Sequence, residues 1–327
     1  MRSLARLSAV AILLASGAAT AQSFDPAQLD AHIKTLSSDE FEGRGPATPG
    51  EQKTVQYLVQ QLQAAGLEPG GELVNGQRQW TQRVPLLKSD IVGTPAISLQ
   101  RGSATTALRQ GPDIAIRSPL NGQTSINLNN VPMIFAGYGV SAPERGWDDF
   151  KGVDVKDKVI VVLINDPDFE GGEGQFGGKA MTYYGRWTYK YEEAARRGAA
   201  GVIVVHETAP ASYGWATVEN SNTNTMFDIV RQNPGEAHAP VNGWIQLEHA
   251  RALFKNAGLD FDAAKAAAKT KAFQPVDLKT GLNVALNAKT EVITSYNVAG
   301  RLSAGRRRRR APAPAHGRCR WRCRPRH

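Results

Sequence analysis

The chain is poor in cysteine, long apolar runs and metal-ligand spacings, and each shortage removes a class of function. Of its 327 residues only Cys319 and Cys323 are cysteines, both among the last nine positions. The body therefore offers no thiol nucleophile and relies on no disulfide. Beyond the first twenty or so residues no stretch is long and apolar enough to cross a bilayer. A Gly-x-Ser-x-Gly elbow is missing as well, which removes the commonest serine-hydrolase signature. The body histidines His32, His206, His238 and His249 form no ligand-spaced pair, whereas a zinc site needs several ligands converging.

Basic charge is also scarce where it would matter for nucleic-acid binding. The formal net charge is +9, yet ten arginines and no acid lie between Ala304 and His327, leaving 29 Lys+Arg against 30 Asp+Glu before them. A near-neutral body argues against a nucleic-acid partner. Arg306–Arg310 alone would bind polyanions by charge, and His316, Cys319, Cys323 and His327 have a spacing that could formally hold zinc. The surrounding arginines oppose a dication, and the segment has too little apolar material to build a core around one.

Met1–Ala21 has Arg2 and Arg6, an apolar run Leu7–Leu14 and Ala19-Thr20-Ala21. That order is a secretory signal peptide with cleavage after Ala21, and it implies a secreted or periplasmic product without a membrane anchor. Asp25-Pro26 starts a helix carrying Leu29, Ile33 and Leu36 on one face. Thr48-Pro49-Gly50-Glu51 is a capping box for a second helix, in which Val55, Leu58, Val59 and Leu62 repeat before a stop at Gly66. Trp80–Leu86 reads as a strand, and residues 88–130 contain short strands such as Ala96–Leu99 and Asp113–Ile116.

The centre of the chain is the span 131–206. Val131–Ala136 is an apolar strand broken at Gly137-Tyr138-Gly139, and Lys158–Ile164 is a β-branched run of the kind buried on both faces. A helix ending before Gly198 leads into a third run, Gly201–His206. Strand, loop, helix, glycine stop and strand make an α/β unit. Residues 207–236 are polar and rich in turn formers, which predicts a long surface loop. Ala239–Ile245 returns as a strand, Leu247–Asn256 and Asp262–Lys271 as helices. Thr280–Leu286 alternates Leu282, Val284 and Leu286 on one face and is expected to pair with Glu291–Leu302.

The chemistry-bearing groups admit two readings each. Gly137-Tyr138-Gly139 lacks the third glycine and the following helix of a dinucleotide loop, so a tight turn is favoured. Two acidic sets, Glu144/Asp148/Asp149/Asp154 and Asp166/Asp168/Glu170/Glu173, match no calcium-loop spacing and are expected to be solvated turns and caps. The aromatics Tyr183, Tyr184, Trp187, Tyr189 and Tyr191, with Trp215 beyond them, are either a peptide-binding wall or packing on the unit's own sheet, with packing favoured.

The wording of several segments is also familiar. Val131-Pro132-x-x-Phe135-Ala136-Gly137-Tyr138-Gly139, then Trp147–Val159, then Ala194-x-x-x-Gly198-Ala199-x-Gly201-Val202, resembles the protease-associated domain inserted in secreted bacterial zinc aminopeptidases. Phe41-Glu42-Gly43-Arg44 between the first helices, Trp80–Leu86 and Ser295–Gly300 resemble the flanking peptidase segments of the same family. The resemblance implies an α/β fold: the amino-terminal part of a zinc-exopeptidase α/β domain (22–89), an inserted β-rich domain (90–275) and return strands (276–303). It implies peptides as substrates and, in the full-length family, two zinc ions whose bridging water is activated by a Glu.

The family's first metal-ligand segment, His-x-Asp-His, follows the return strands, and here Leu302 is followed instead by Ser303 and the Arg/Ala/Pro vocabulary of 304–327. Such a composition is that of a GC-rich coding sequence read out of frame. The resemblance therefore stops before any catalytic residue. It assigns no catalytic, cofactor-binding or metal-ligating position in this chain, and implies no zinc bound by it and no peptidase activity as written.

Overall fold

A computed structural model describes residues 25–303. Residues 1–21, read above as a signal peptide, the arginine-rich segment 304–327 and the His/Cys set within it lie outside the described residues.

The first helix, α1 (Pro26–Leu36), begins where expected, with the Asp25 carboxylate accepting the Ala27 N–H at 2.9 Å. A 3-10 segment over Asp39–Arg44 leads to α2 (Pro49–Ala64), where Thr48 Oγ1 accepts the Glu51 N–H at 3.3 Å. The reciprocal arm of the capping box reaches one residue further back, since Glu51 Oε2 accepts the Ala47 N–H at 2.6 Å. Short strands β1 (Glu68–Pro69), β2 (Leu73–Val74) and β3 (Gln77–Arg78) then precede the long β4 (Thr81–Arg101).

From there the chain runs through β5 (Ala104–Leu108), β6 (Ile114–Ile116), β7 (Ser125–Phe135), the small hairpin β8 (Ser141–Ala142) and β9 (Trp147–Asp148), and β10 (Val159–Leu163). Next come α3 (Trp187–Arg196), β11 (Gly201–His206), α4 (Thr208–Ala211), α5 (Trp215–Thr223), β12 (Met226–Ile229) and α6 (Pro234–Ala237). The described chain closes with β13 (Val241–Gln246), α7 (Leu247–Ala257), α8 (Phe261–Ala268), β14 (Val276–Val298) and β15 (Gly300–Arg301).

The fold is α/β. One mixed sheet runs in the order β12–β4–β14–β7–β10–β11–β13–β6, with β5 extending β4. Its centre, β7, β10, β11 and β13, is parallel, and the outer strands are antiparallel. Parallel strands must be covered on both faces, and the side chains divide accordingly. Val159, Val161, Leu163, Ile203 and Val205 pack on one face with Phe135, Phe254 and Phe261, beneath α7 and α8. Ile160, Val162, Val202, Val204 and Trp244 pack on the other with Tyr191 and Ala194 of α3 and Val218 of α5. Neither buried cluster includes a residue before Ile97 or after Leu286.

Three expectations need correction. Residues 207–236 are not a long surface loop, because α4, α5, β12 and most of α6 lie within them. Although polar, α5 buries Val218 and Asn222, and β12 gains its place by pairing with β4, Met226 opposite Ser89. Thr280–Leu286 and Glu291–Leu302 do not pair with each other. Most of both lies in the single strand β14, which runs antiparallel to β4 from Gly281↔Gln100 to Val298↔Thr81 with a register shift between Ala285 and Asn287. The last helix ends at Ala268 rather than Lys271.

Candidate functional site

The carboxyl ends of parallel strands are where open α/β sheets place ligands. Here that position is filled from within. Gly137 and Gly139, at φ +56° and +63°, turn the chain off β7, and the Gly139 N–H donates to Ala136 O at 2.7 Å. A side chain at Gly139 would meet Val162 Cγ1 at 2.8 Å, so the turn presses directly onto β10. No helix follows it, and it is a tight turn rather than a phosphate cradle.

Its Tyr138 carbonyl accepts a hydrogen bond from Lys190 Nζ at 2.5 Å. Lys190, on α3, also donates to Asn165 O at 2.9 Å, just past β10, and to Tyr184 O at 2.7 Å, and is only 2% exposed. Three carbonyls match the three hydrogens of an ammonium. Burial pulls Lys190 below the usual lysine range, while the carboxylates of Asp149 and Asp166 act against that pull. Burial also pushes Asp149 up, against the N–H of Val140 at 2.9 Å and the Trp147 indole N–H at 2.8 Å.

The two acidic sets do not converge. Asp148 accepts from Phe150 N at 2.9 Å and Lys151 N at 3.1 Å, Asp154 from Lys156 N at 2.9 Å, and Glu144 from Tyr184 Oη at 2.8 Å. Asp166 holds Thr182 through its N–H at 3.1 Å and Oγ1 at 2.7 Å, and Asp168 receives Gly174 N at 3.0 Å. Glu170 pairs with Lys265 at 2.7 Å, and Glu173 accepts Lys271 N at 3.2 Å. These are turn locks and caps, as expected, but Asp149, Asp166 and Asp168 are buried rather than solvated.

The histidines are scattered. His32 meets Tyr57 Oη at 2.6 Å, His206 meets Tyr213 O at 2.9 Å, His238 meets Asp228 at 2.7 Å and His249 meets Asp113 at 3.3 Å. Among the described residues no three of His, Cys, Asp or Glu are grouped to hold a metal ion. No described helix is long and apolar enough to cross a membrane.

The aromatic cluster splits in two. Tyr183, itself 53% exposed, and Tyr184 pack edge-on against the buried Tyr189 at 5.5 and 5.0 Å. Trp187 and Tyr191, one turn apart on α3, instead meet each other at 5.3 Å and present their rings to the Arg117 guanidinium, at 5.1 and 5.6 Å. Beside them is a cavity of about 220 Å³ also lined by Phe227, Asp228, Arg231 and His238. Trp215 lies apart, edge-on to His206 at 5.6 Å, its indole N–H on Gly111 O at 2.9 Å. Sequence reasoning found these aromatics and missed Arg117 and Lys190. Lys190 carried one signal, a lysine inside the helical stripe Trp187, Tyr191, Ala194, whereas Arg117 carried none.

No family model matches the chain, and no curated protein matches it. Among solved structures it is similar to an aminopeptidase from Aneurinibacillus sp. strain AM-1, with a TM-score of 0.38 and 15% identity over 86% of this chain. The match covers 49% of that protein, so this chain spans about half its length.

Proposed function

We propose that this chain is the amino-terminal portion of a secreted zinc-dependent aminopeptidase, interrupted by a non-catalytic protease-associated domain. The carrying observation is the way the flanks meet around the central unit. Thr81 lies opposite Val298 and Glu68 opposite Arg301, so the strands leading into and out of the unit are neighbours, as an insertion requires. Glu51 on α2 binds the same return strand at Ser295 and Tyr296. The flanks also carry apolar faces that the described residues do not cover: Leu29 and Ile33 on α1 are 46% and 56% exposed, and Val292 is 65% exposed. Such faces fit elements of a domain completed by further chain. The segment resemblance supplies the rest of the reading, namely zinc, peptide substrates and export, with no nucleic-acid partner.

No step of peptide hydrolysis is assigned to residues 25–303, since they group no metal ligands. The test is the coding DNA beyond the Leu302 codon, translated in the other two frames, followed by expression of the product that carries His-x-Asp-His. That product is expected to release amino-terminal residues from peptides and to lose the activity with a chelator, while the 327-residue chain is inactive. Absence of the motif from both frames, or zinc-dependent release by the 327-residue chain itself, overturns the reading. A second reading, a secreted binding protein without peptidase activity, is favoured by the confinement of both apolar clusters to Ile97–Leu286.

A further inference from the structure

The Arg117 cavity is charged in a particular way. Two carboxylates line it, and both are engaged. Asp228 receives Arg231 Nε at 2.8 Å and lies 2.7 Å from His238 Nε2. Burial works to raise the Asp228 carboxyl, yet those partners outweigh it and hold it below its ordinary value. Glu192 accepts the Tyr183 hydroxyl and lies 3.7 Å from Arg196. Arg117 is different. Its Nε points to the thioether of Met226 at 3.1 Å, its flat face lies against Trp187 and Tyr191, and among the described residues no carboxylate pairs with it. A half-buried guanidinium with free donors is unusual, because desolvated charge is normally matched. The neighbouring Tyr191 hydroxyl is buried and makes no hydrogen bond of ordinary geometry, although Arg117 and Trp244 lie close enough to act on it against the effect of burial. Burial raises the Tyr191 hydroxyl above the usual range, so it stays protonated and able to donate.

We propose that this cavity binds the terminal carboxylate of a peptide that ends in a large apolar residue, with Arg117 as the carboxylate's partner and Trp187, Tyr191 and Phe227 as the wall for the last side chain. Charge count favours a monoanion. The lining sets Arg117 and Arg231 against Asp228 and Glu192, and with Arg231 held by Asp228 the unpaired cation is Arg117, so a phosphate dianion would face two carboxylates with only that cation opposite it. Size favours a chain end. At about 220 Å³ the cavity is smaller than the range of drug-sized pockets, and it suits one residue rather than an internal peptide segment. A planar guanidinium whose face is held by aromatic rings keeps its edge for bidentate carboxylate binding. The site belongs to the central unit alone and stands whether or not the longer protein is a peptidase.

The experiment titrates the full chain with N-acetyl-L-phenylalanine, with its carboxamide, and with inorganic phosphate, following Trp187-dependent fluorescence and calorimetric heat. The acid is expected to bind at least about tenfold tighter than the amide, as loss of one charge-assisted hydrogen bond implies, and tighter than phosphate. The near-isosteric variant Arg117→Met should bind acid and amide equally weakly while keeping the circular dichroism of the parent. Equal binding of acid and amide by the parent chain, no binding of either, or binding of phosphate as tight as the acid, each overturns the proposal. Because the acid and amide arms use the unaltered protein, they decide the matter even if Arg117→Met fails to fold.

Discussion

The Glu51 carboxylate accepts the backbone N–H of Tyr296 at 3.1 Å, joining the start of α2 to a strand 245 positions later in the chain. The same side chain receives the Ser295 hydroxyl and, through its other oxygen, the Ala47 N–H at 2.6 Å. A residue legible as a helix cap thus also ties α2 to the strand that returns from the central unit. Glu51→Ala strands two backbone donors and a hydroxyl, and is expected to cost about 2 kcal/mol. Amide hydrogen exchange provides the local check. Tyr296 should lose protection while Val161 and Val204, in the centre of the sheet, keep theirs; unchanged exchange at Tyr296 would show the contact to be idle.

Lys190 gathers the ends of β7 and β10 and the approach to α3 through three carbonyls. Lys190→Met removes that cation and leaves the carbonyls and Asp149 without it, an outcome expected to cost about 3–5 kcal/mol and to lower the thermal midpoint by about 10 °C. The double variant with Asp149→Asn should recover part of the loss, because it deletes the uncompensated acid. The double-mutant cycle measures the coupling, and strict additivity would mean that the two groups do not interact.

The depressed acidity of Asp113 sets a pH dependence. Hydrogen bonds from Arg109, the closest at 2.6 Å, lower its carboxyl from the ordinary 3.8 to about 2. Because the folded value is the lower one, the stabilisation is fully present above pH 3.8 and is lost as pH falls from there towards 2. Arg109 itself is largely exposed, so solvent screening reduces the contribution to about 1 kcal/mol. Denaturant midpoints of the parent and Asp113→Asn should therefore differ at neutral pH and converge as pH falls to about 2; a constant difference would refute the assignment.

What the sequence made legible follows the reach of each physical signal. β10 and β11 announce themselves because a strand buried on both faces must be apolar throughout, and α7 because Gly258, at φ +78°, ends an amphipathic stripe. β12 could not be read, since Met226–Ile229 is a strand only by virtue of the β4 edge more than a hundred residues away. Local alternation placed Leu282, Val284 and Leu286 on one buried face correctly but carried no information about partners, so β14 was broken into a hairpin it does not form. Arg117 and Lys190 escaped for a related reason. Their roles come from which rings and carbonyls the fold brings to them, and nothing within a few positions of either records that.

The central unit is expected to fold by itself, but at boundaries set by the ladder rather than by composition. Both apolar clusters lie between Ile97 and Leu286, and the first pairs beyond the register shift are Val92↔Asn287 and Ile91↔Ala288. A fragment from Ile91 to Ala288 begins and ends on partners in one ladder and keeps every residue of both clusters, but omits the α1 and α2 flank and Leu86–Ser89, the β4 partners of β12. It should unfold in one cooperative transition with a midpoint below that of the full chain, because β12 loses its ladder, whereas residues 22–90 alone should show none, having no core to offset their chain entropy. A shorter fragment ending at Pro275 loses β14, and with it the strand that joins β4 to β7. It should expose Ile126 and Met133 and aggregate. If the 91–288 fragment shows no cooperative transition, the flanks are part of the folding unit and the insertion geometry is not its boundary.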